Sequence, residues 1–455
     1  MKILFLILVQ LLFGWGVLNK FKYGPNLALK LSLSYLIGIF GSSLCIYVLE
    51  FAHVKLTYTT VIIANVACSM LINLDFKRFK ESLKLFVTIK TTRLSLFDLI
   101  SIGVIGYYLY YSVWRMYHLP VVPFDALVGI DLLAKAAVEE GHVVSSIFTR
   151  PDIKSHLSTQ PFYAPLTAFN QITYRLAGAP FGQVWIPLAT IAFSCFAYVR
   201  LKELTHATVA GIAVILLFCS TELYAYTYLL QTDLSNAIFF SIGLLFMVDF
   251  LKDKSNMPIF GLSALFMTIA VWTRIETVLV TGFCALLIVW EYIKDKDYKK
   301  MVYMPALYMA APLVANIMWN GLFYNFVFPF HPETKSEIIW AGKYSSEFTP
   351  RIWDEMTTYL FSTDYWGYLL YIYLILVLIN IIVYRDKTSV YTLVLILLFN
   401  VAFFFMLHHF DKVIVQATYR RGLFKLLMMV VLFFGELRLL QSFGARLKSW
   451  VTNKD

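Results

Sequence analysis

The sequence predicts an all-α, multi-pass membrane protein, and three observations carry that expectation. Of the 455 residues, 60% are hydrophobic and 15% charged, whereas soluble domains carry roughly 25% charged residues. Mean hydropathy is +0.70, and apolar runs of about twenty residues, the length that crosses a bilayer, recur from end to end. Aromatics reach 17%, as fits belts of Trp and Tyr at membrane interfaces. No stretch has a soluble composition long enough for a separate domain. The net charge of +10 fits Lys and Arg in cytoplasmic loops, and no nucleic-acid partner is expected.

The first run, 3–19, follows Lys2, lacks a small-x-small cleavage site and is followed by Lys20 and Lys22. It reads as an uncleaved span rather than a signal peptide. Further spans are expected near 27–51, 56–74, 94–114, 182–200, 206–221, 233–251, 257–273, 277–293, 301–320, 365–384, 389–407 and 422–440, thirteen in all. Cys45, Cys68, Cys195, Cys219 and Cys284 all lie inside these runs with no CxxC pair. They read as small buried hydrophobes.

Charge assigns the loops to sides. Lys20, Lys22 and Lys30, then Lys77 to Arg93, Arg200 and Lys202, Lys252 and Lys254, Lys294 to Lys300, Arg385 and Lys387, and Arg438 onward form the basic set. All fall on the cytoplasmic side if the N-terminus is outside and the C-terminus inside. That leaves 115–181, 222–232, 274–276, 321–364 and 408–421 outside. Counting 161–177 as a span would flip every later loop. Because it carries Asn170, Gln171 and Arg175, it reads as a helix lying in the outer interface or re-entering it.

The outside loops hold the chemistry. The first contains Asp125, Asp131, Lys135 and His156, then Tyr163 and Pro165 at the start of that apolar helix. Asp125 follows Pro123-Phe124, where a carboxylate either caps a helix or serves as a base at the membrane surface. Lys135 is either a snorkelling surface lysine or a second contact at the site. Asp233 sits at the outer mouth of a span. Arg274 and Glu276 occupy a hairpin too short to be solvated and so need partners at the bilayer boundary. They read as a structural ion pair or as a phosphate-facing arginine oriented by a carboxylate. His408, His409, Arg420 and Arg421 mark the last outside loop; two adjacent arginines there depart from the positive-inside trend and point to an anionic ligand. Adjacent histidines diverge on a helix and make a weak metal site. There is no HExxH, P-loop, GxGxxG or GxSxG.

These residues resemble a family. Phe124-Asp125-Ala126-Leu127 with Leu133-Ala134-Lys135-Ala136 and Gly141 resembles the first outer loop of GT-C membrane glycosyltransferases, relatives of protein O-mannosyltransferases and lipid A aminoarabinose transferases. Phe162-Tyr163-Ala164-Pro165-Leu166 is similar to the Y-P-P-L helix that follows, with Ala164 for the first proline. Thr232-Asp233 is similar to a T-D motif. Thr273-Arg274-Ile275-Glu276 is similar to a T-R-P-E hairpin with Ile275 for proline, and Tyr419-Arg420-Arg421 to the arginine before the last core span. The resemblance covers about 94–440, leaving 1–93 as an N-terminal extension of three spans and 441–455 as a cytoplasmic tail.

The resemblance implies a GT-C-like core with juxtamembrane helices in the first outer loop. It implies transfer of a sugar from a polyprenyl-phosphate donor to an acceptor hydroxyl of a lipid, glycan or protein. Asp125 would be the catalytic base of an inverting displacement. Asp131, Lys135, His156, Tyr163, Asp233, Arg274, Glu276, His408, Arg420 and Arg421 would contact substrate. Some relatives need a divalent metal and many do not, and the sequence leaves that open. The expected setting is an integral membrane protein, in the bacterial inner membrane, with its active face outside the cytoplasm. The competing readings are an O-antigen ligase or polymerase, using the 321–364 loop, and a transporter or flippase of lipid-linked glycans.

Overall fold

The computed structural model describes residues 1–24, 26–75, 79–81, 94–146, 164–327, 348–410 and 413–452. Among these the chain is helical and has no β-strand. The helices are α1 (Lys2–Lys20), α2 (Leu27–Phe51), α3 (Tyr58–Ile72), α4 (Leu96–His118), α5 (Asp131–Glu140), α6 (Leu166–Leu176), α7 (Trp185–Leu204), α8 (Ala207–Phe218), α9 (Thr221–Tyr226) and α10 (Thr232–Lys252). Then come α11 (Met257–Thr273), α12 (Thr277–Lys294), α13 (Tyr298–Asn316), α14 (Phe348–Leu360), α15 (Thr363–Trp366), α16 (Leu369–Tyr384), α17 (Lys387–His409), α18 (Arg420–Gly422), α19 (Phe424–Phe434) and α20 (Arg438–Thr452). Among the described residues three π-helical segments interrupt them: π1 (Ala126–Ile130), π2 (Ile317–Val327) and π3 (Val415–Tyr419).

By length and composition, seven helices among the described residues can cross a membrane, or eight if the pair Pro350–Trp366 and Leu369–Tyr384, bent by 110°, is one span. The protein is therefore an α-helical membrane protein. Helices cover every expected run, but α3, α8 and α11 are shorter apolar helices. The run 422–440 is divided. Its apolar helix ends at Phe434 and a separate amphipathic helix starts at Arg438. The break at Gly435-Glu436 places Glu436 against Arg200 and Lys252.

Local sequence explains the helix starts. Asn26 accepts from Leu29 N at 2.8 Å, and Ser95 and Asp98 form a reciprocal capping box at the start of α4. Asp233 lies in the first turn of α10, where a carboxylate opposes the positive helix end. Apolar residues surround α10 on all sides, so it is buried as the central helix, packed between α11 and α19.

The bundle has two chemically distinct ends. At one, Lys202 meets Asp98 at 2.6 Å, Arg200 meets Asp249 at 3.0 Å, and Arg438 meets Asp386 at 3.4 Å. Arg200, Lys202, Lys252, Arg438 and their partners are thus gathered at one end, whereas most of the expected Lys77–Arg93 loop lies outside the described residues and Lys30 is buried inside α2 against Asn19 and the Trp15 ring rather than in a loop. At the other end lie π1, π2 and π3. Tyr47 OH donates to the Met318 carbonyl at 2.9 Å, and Trp272 Nε1 to Ser43 Oγ at 2.9 Å. Such π segments are frequent at functional sites.

The helix expected to lie in the outer interface or to re-enter it is α6. It is buried against α2 and α5 rather than lying on a surface: Asn170 donates to the Ile39 carbonyl at 3.1 Å and Tyr174 to Gln10 Oε1 at 2.9 Å. Among the cysteines, Cys219 is exposed, contrary to expectation.

Candidate functional site

The short turn between α11 and α12 is held from below. Asn236 of α10 donates to the Ala270 carbonyl at 2.6 Å and to Thr277 Oγ1 at 3.0 Å, on either side of Arg274. This clamp sets Arg274, which ends α11 in an extended conformation, over the first turn of α10. There its Nη1 donates to Asp233 Oδ1, while its Nε donates to Glu276 Oε1. Asp233 is 2% exposed and Arg274 8%. The pair is therefore desolvated, and loss of either partner would strand a buried charge.

Two more arginines come from α18, which follows π3. Arg421 Nη1 stands 3.6 Å from Asp233 Oδ2, and its Nε donates to the Ala417 carbonyl at 3.1 Å. Arg420 Nε lies 3.2 Å from Glu222 Oε1, and the guanidinium sits 5.1 Å from the centroid of the Tyr365 ring. Burial pushes the Glu222 carboxyl up, against the pull of Arg420 and Arg421. Burial, with the Asp233 charge next among the raising causes, pushes the Tyr226 hydroxyl up to about 12. Glu222 Oε2, Asp233 Oδ2 and Arg420 Nε are buried without a hydrogen-bond partner. The 3.2 Å Arg420–Glu222 approach is thus a charge contact and not an aligned hydrogen bond. The structure brings Asp233, Arg274, Glu276, Arg420 and Arg421 into one network.

A second network lies at the same end, since Gln183 donates to the Leu119 carbonyl at 2.8 Å and Thr227 meets Ser112 at 2.6 Å, both on or just beyond the last turns of α4. Here Asp131, 1% exposed, receives Arg175 Nη2 at 2.5 Å, Gln171 Nε2 at 2.9 Å and Lys135 Nζ at 2.9 Å. With three donors on its carboxylate, Asp131 ties α5 to α6. Lys135 is held in an i,i+4 pair with it. Asp125 is half-buried at the start of π1 and its side chain makes no cap. The α5 terminus is fixed by Glu50 of α2, which accepts from Val143 N at 2.9 Å and Val144 N at 3.2 Å.

His408 is packed on the Phe404 ring with centroids 4.2 Å apart, and its Nδ1 donates to the Phe404 carbonyl at 2.9 Å. His156, Tyr163, Asp411, Lys412 and the 328–347 part of the long loop lie outside the described residues. Among the described residues no group of three His, Cys, Asp or Glu side chains is arranged to hold a metal. Sequence reasoning missed Glu222, which lies in a six-residue helix, and Lys425, which lies in the first turn of α19. Glu222 carries the one signal of being acidic in a Tyr-rich outer segment.

Two cavities frame the bundle. One of about 760 Å³ lies at the opposite end, between Lys252, Lys254, Glu291, Asp386 and Arg438, away from the arginine network. The other, about 230 Å³, is apolar and lies between α14 and α17 with Asn400 and Tyr419 in its wall. No family model, curated protein or solved structure matches this chain.

Proposed function

We propose that the chain is a GT-C-like membrane glycosyltransferase that crosses the bilayer about thirteen times, with the arginine-network end outside the cytoplasm. It moves a sugar from a polyprenyl-phosphate donor to an acceptor hydroxyl. The observation that carries this reading is the convergence of Arg274, Arg420 and Arg421 with Asp233 at one end of an apolar bundle. Guanidinium groups suit phosphate because they present fixed paired donors and stay charged. A lipid-linked donor keeps its tail in the bilayer and its phosphate at headgroup depth, and no stretch of the sequence has the composition of a soluble nucleotide-binding domain.

In this mechanism the acceptor oxygen attacks the anomeric carbon as Asp125 takes the hydroxyl proton. The bond between the anomeric carbon and the phosphate oxygen breaks, and its electron pair stays on that oxygen. The arginines stabilise the charge that grows there. Asp233 and Glu276 orient Arg274 from two sides. The test is transfer by the purified, lipid-reconstituted protein from a polyprenyl-phosphate sugar, compared with a nucleotide sugar. Transfer from the nucleotide sugar with no lipid present would sink the donor assignment.

The 760 Å³ cavity at the opposite end favours a second reading, a transporter of lipid-linked glycans. Flux of a labelled lipid-linked sugar across vesicles without any transfer would replace the first reading by this one.

A further inference from the structure

Lys425 lies four residues beyond Arg421, one helical turn further on the same face. The backbone is continuous there: Leu423 N donates to the Tyr419 carbonyl at 3.0 Å and Leu427 N to the Leu423 carbonyl at 3.0 Å. The Lys425 side chain is 3% exposed. Among the described residues its ammonium has no hydrogen bond or ion pair, and its ring contact is to Phe403 at 6.0 Å. The charges that act on it are those of Arg274, Glu276 and Asp233.

Those carboxylates are already engaged. Asp233 and Glu276 take Arg274, and Glu222 takes Arg420. Among the described residues the cluster thus holds four cations, Arg274, Arg420, Arg421 and Lys425, against three carboxylates, Glu222, Asp233 and Glu276. A buried ammonium without a partner is strongly unfavourable, and a chain keeps one only where something offsets it. The apolar cavity of about 230 Å³, lined by Trp353, Met356, Leu360, Leu397, Asn400 and Tyr419, adjoins the residue that precedes Arg420. An anion with an apolar chain matches both features.

We infer that Lys425, with Arg421 and Arg274, forms the seat of a prenyl-linked phosphate whose first isoprene units lie along the α14–α17 cavity. The seat stands on its own geometry. Its part in sugar transfer rests on the glycosyltransferase reading. There, departure of the sugar converts a phosphodiester monoanion into a monoester that gains one negative charge. A cation without a fixed carboxylate partner responds to that gain.

The experiment uses full-length purified protein in detergent with farnesyl phosphate, inorganic phosphate and farnesol as probes, and no sugar. Binding is read by calorimetric titration and by melting temperature. Farnesyl phosphate is expected to bind and raise the melting temperature, and both other probes to bind more weakly. Lys425→Met should weaken farnesyl phosphate at least about tenfold, and Lys425→Arg should retain most of the affinity. Without ligand, Lys425→Met should melt higher than wild type, because it removes an uncompensated buried charge and keeps the length. Unchanged farnesyl phosphate affinity in Lys425→Met, or a lower melting temperature without ligand, overturns the seat. Inorganic phosphate binding as tightly as farnesyl phosphate overturns the prenyl class. Lys425-dependent binding in a protein that transfers no sugar leaves the seat standing and removes the glycosyltransferase reading. Sugar transfer with Lys425-independent binding does the reverse.

Discussion

Arg274 donates through Nη1 to Asp233 and through Nε to Glu276, so one guanidinium is held by a helix start on one side and by its own turn on the other. Arg274→Lys keeps the charge but loses the fork. On the proposed reading, donor use falls about 10²–10³-fold, the scale for removing one donor at a site of developing charge. Asp233→Ala leaves Arg274 buried beside a lost partner and costs about 3–5 kcal/mol of stability. Wild-type transfer rates in Arg274→Lys and Arg420→Lys together would exclude these arginines from the donor site.

Asp125 and Asp131 separate by environment. Asp125→Asn keeps the shape and removes proton acceptance, so turnover should drop about 10²-fold or more with little change in melting temperature. Asp131→Asn weakens its contacts with Arg175 and Lys135 and should chiefly lower the melting temperature. A stable but inactive Asp131→Asn beside an active Asp125→Asn moves the base to Asp131.

The two ends of the bundle give a topology prediction. In a cysteine-free background, Asp364→Cys at the network end should react with an impermeant maleimide added to intact cells. Lys296→Cys, exposed at the opposite end, should react only after permeabilisation. The opposite labelling pattern places the arginine network in the cytoplasm and removes the lipid-donor argument.

Gly182 has φ +70, and a Cβ there would lie 2.6 Å from the Gln171 carbonyl oxygen. Gly182→Ala should therefore displace the turn that holds Gln171 and Arg175 on Asp131. The expected loss is about 1–3 kcal/mol for the strained backbone alone. An unaltered melting temperature would show that this turn does not support the α5–α6 junction.

How much was legible follows from the range of each interaction. The helices were readable because hydrophobic length and capping residues act within a few turns. The division of charge between two ends was readable because basic loops recur with the spans. The last run was misjudged, because nothing in its apolar composition shows that Glu436 is drawn away to Arg200 and Lys252. The helix after Pro165 was expected, on its polar residues, to lie in the outer interface or to re-enter it; those residues find partners in α2 and α5 and bury it, so it does not lie on the surface.

The sequence by itself determined an α-helical membrane protein, named Arg274 and Glu276 as residues needing partners, and offered Asp233, Arg420 and Arg421 as candidate substrate contacts. Only the tertiary structure decided that they meet. Arg274 reaches Asp233 across 41 positions of chain, and Arg175 reaches Asp131 across 44. It also decided that Asp131 is saturated with donors while Lys425 has no acceptor among the described residues. The reason is that a charge in an apolar chain is defined by what surrounds it: desolvation and the distance to an opposite charge set whether it braces the fold or awaits a ligand. Both quantities belong to packing between helices, which local sequence does not encode.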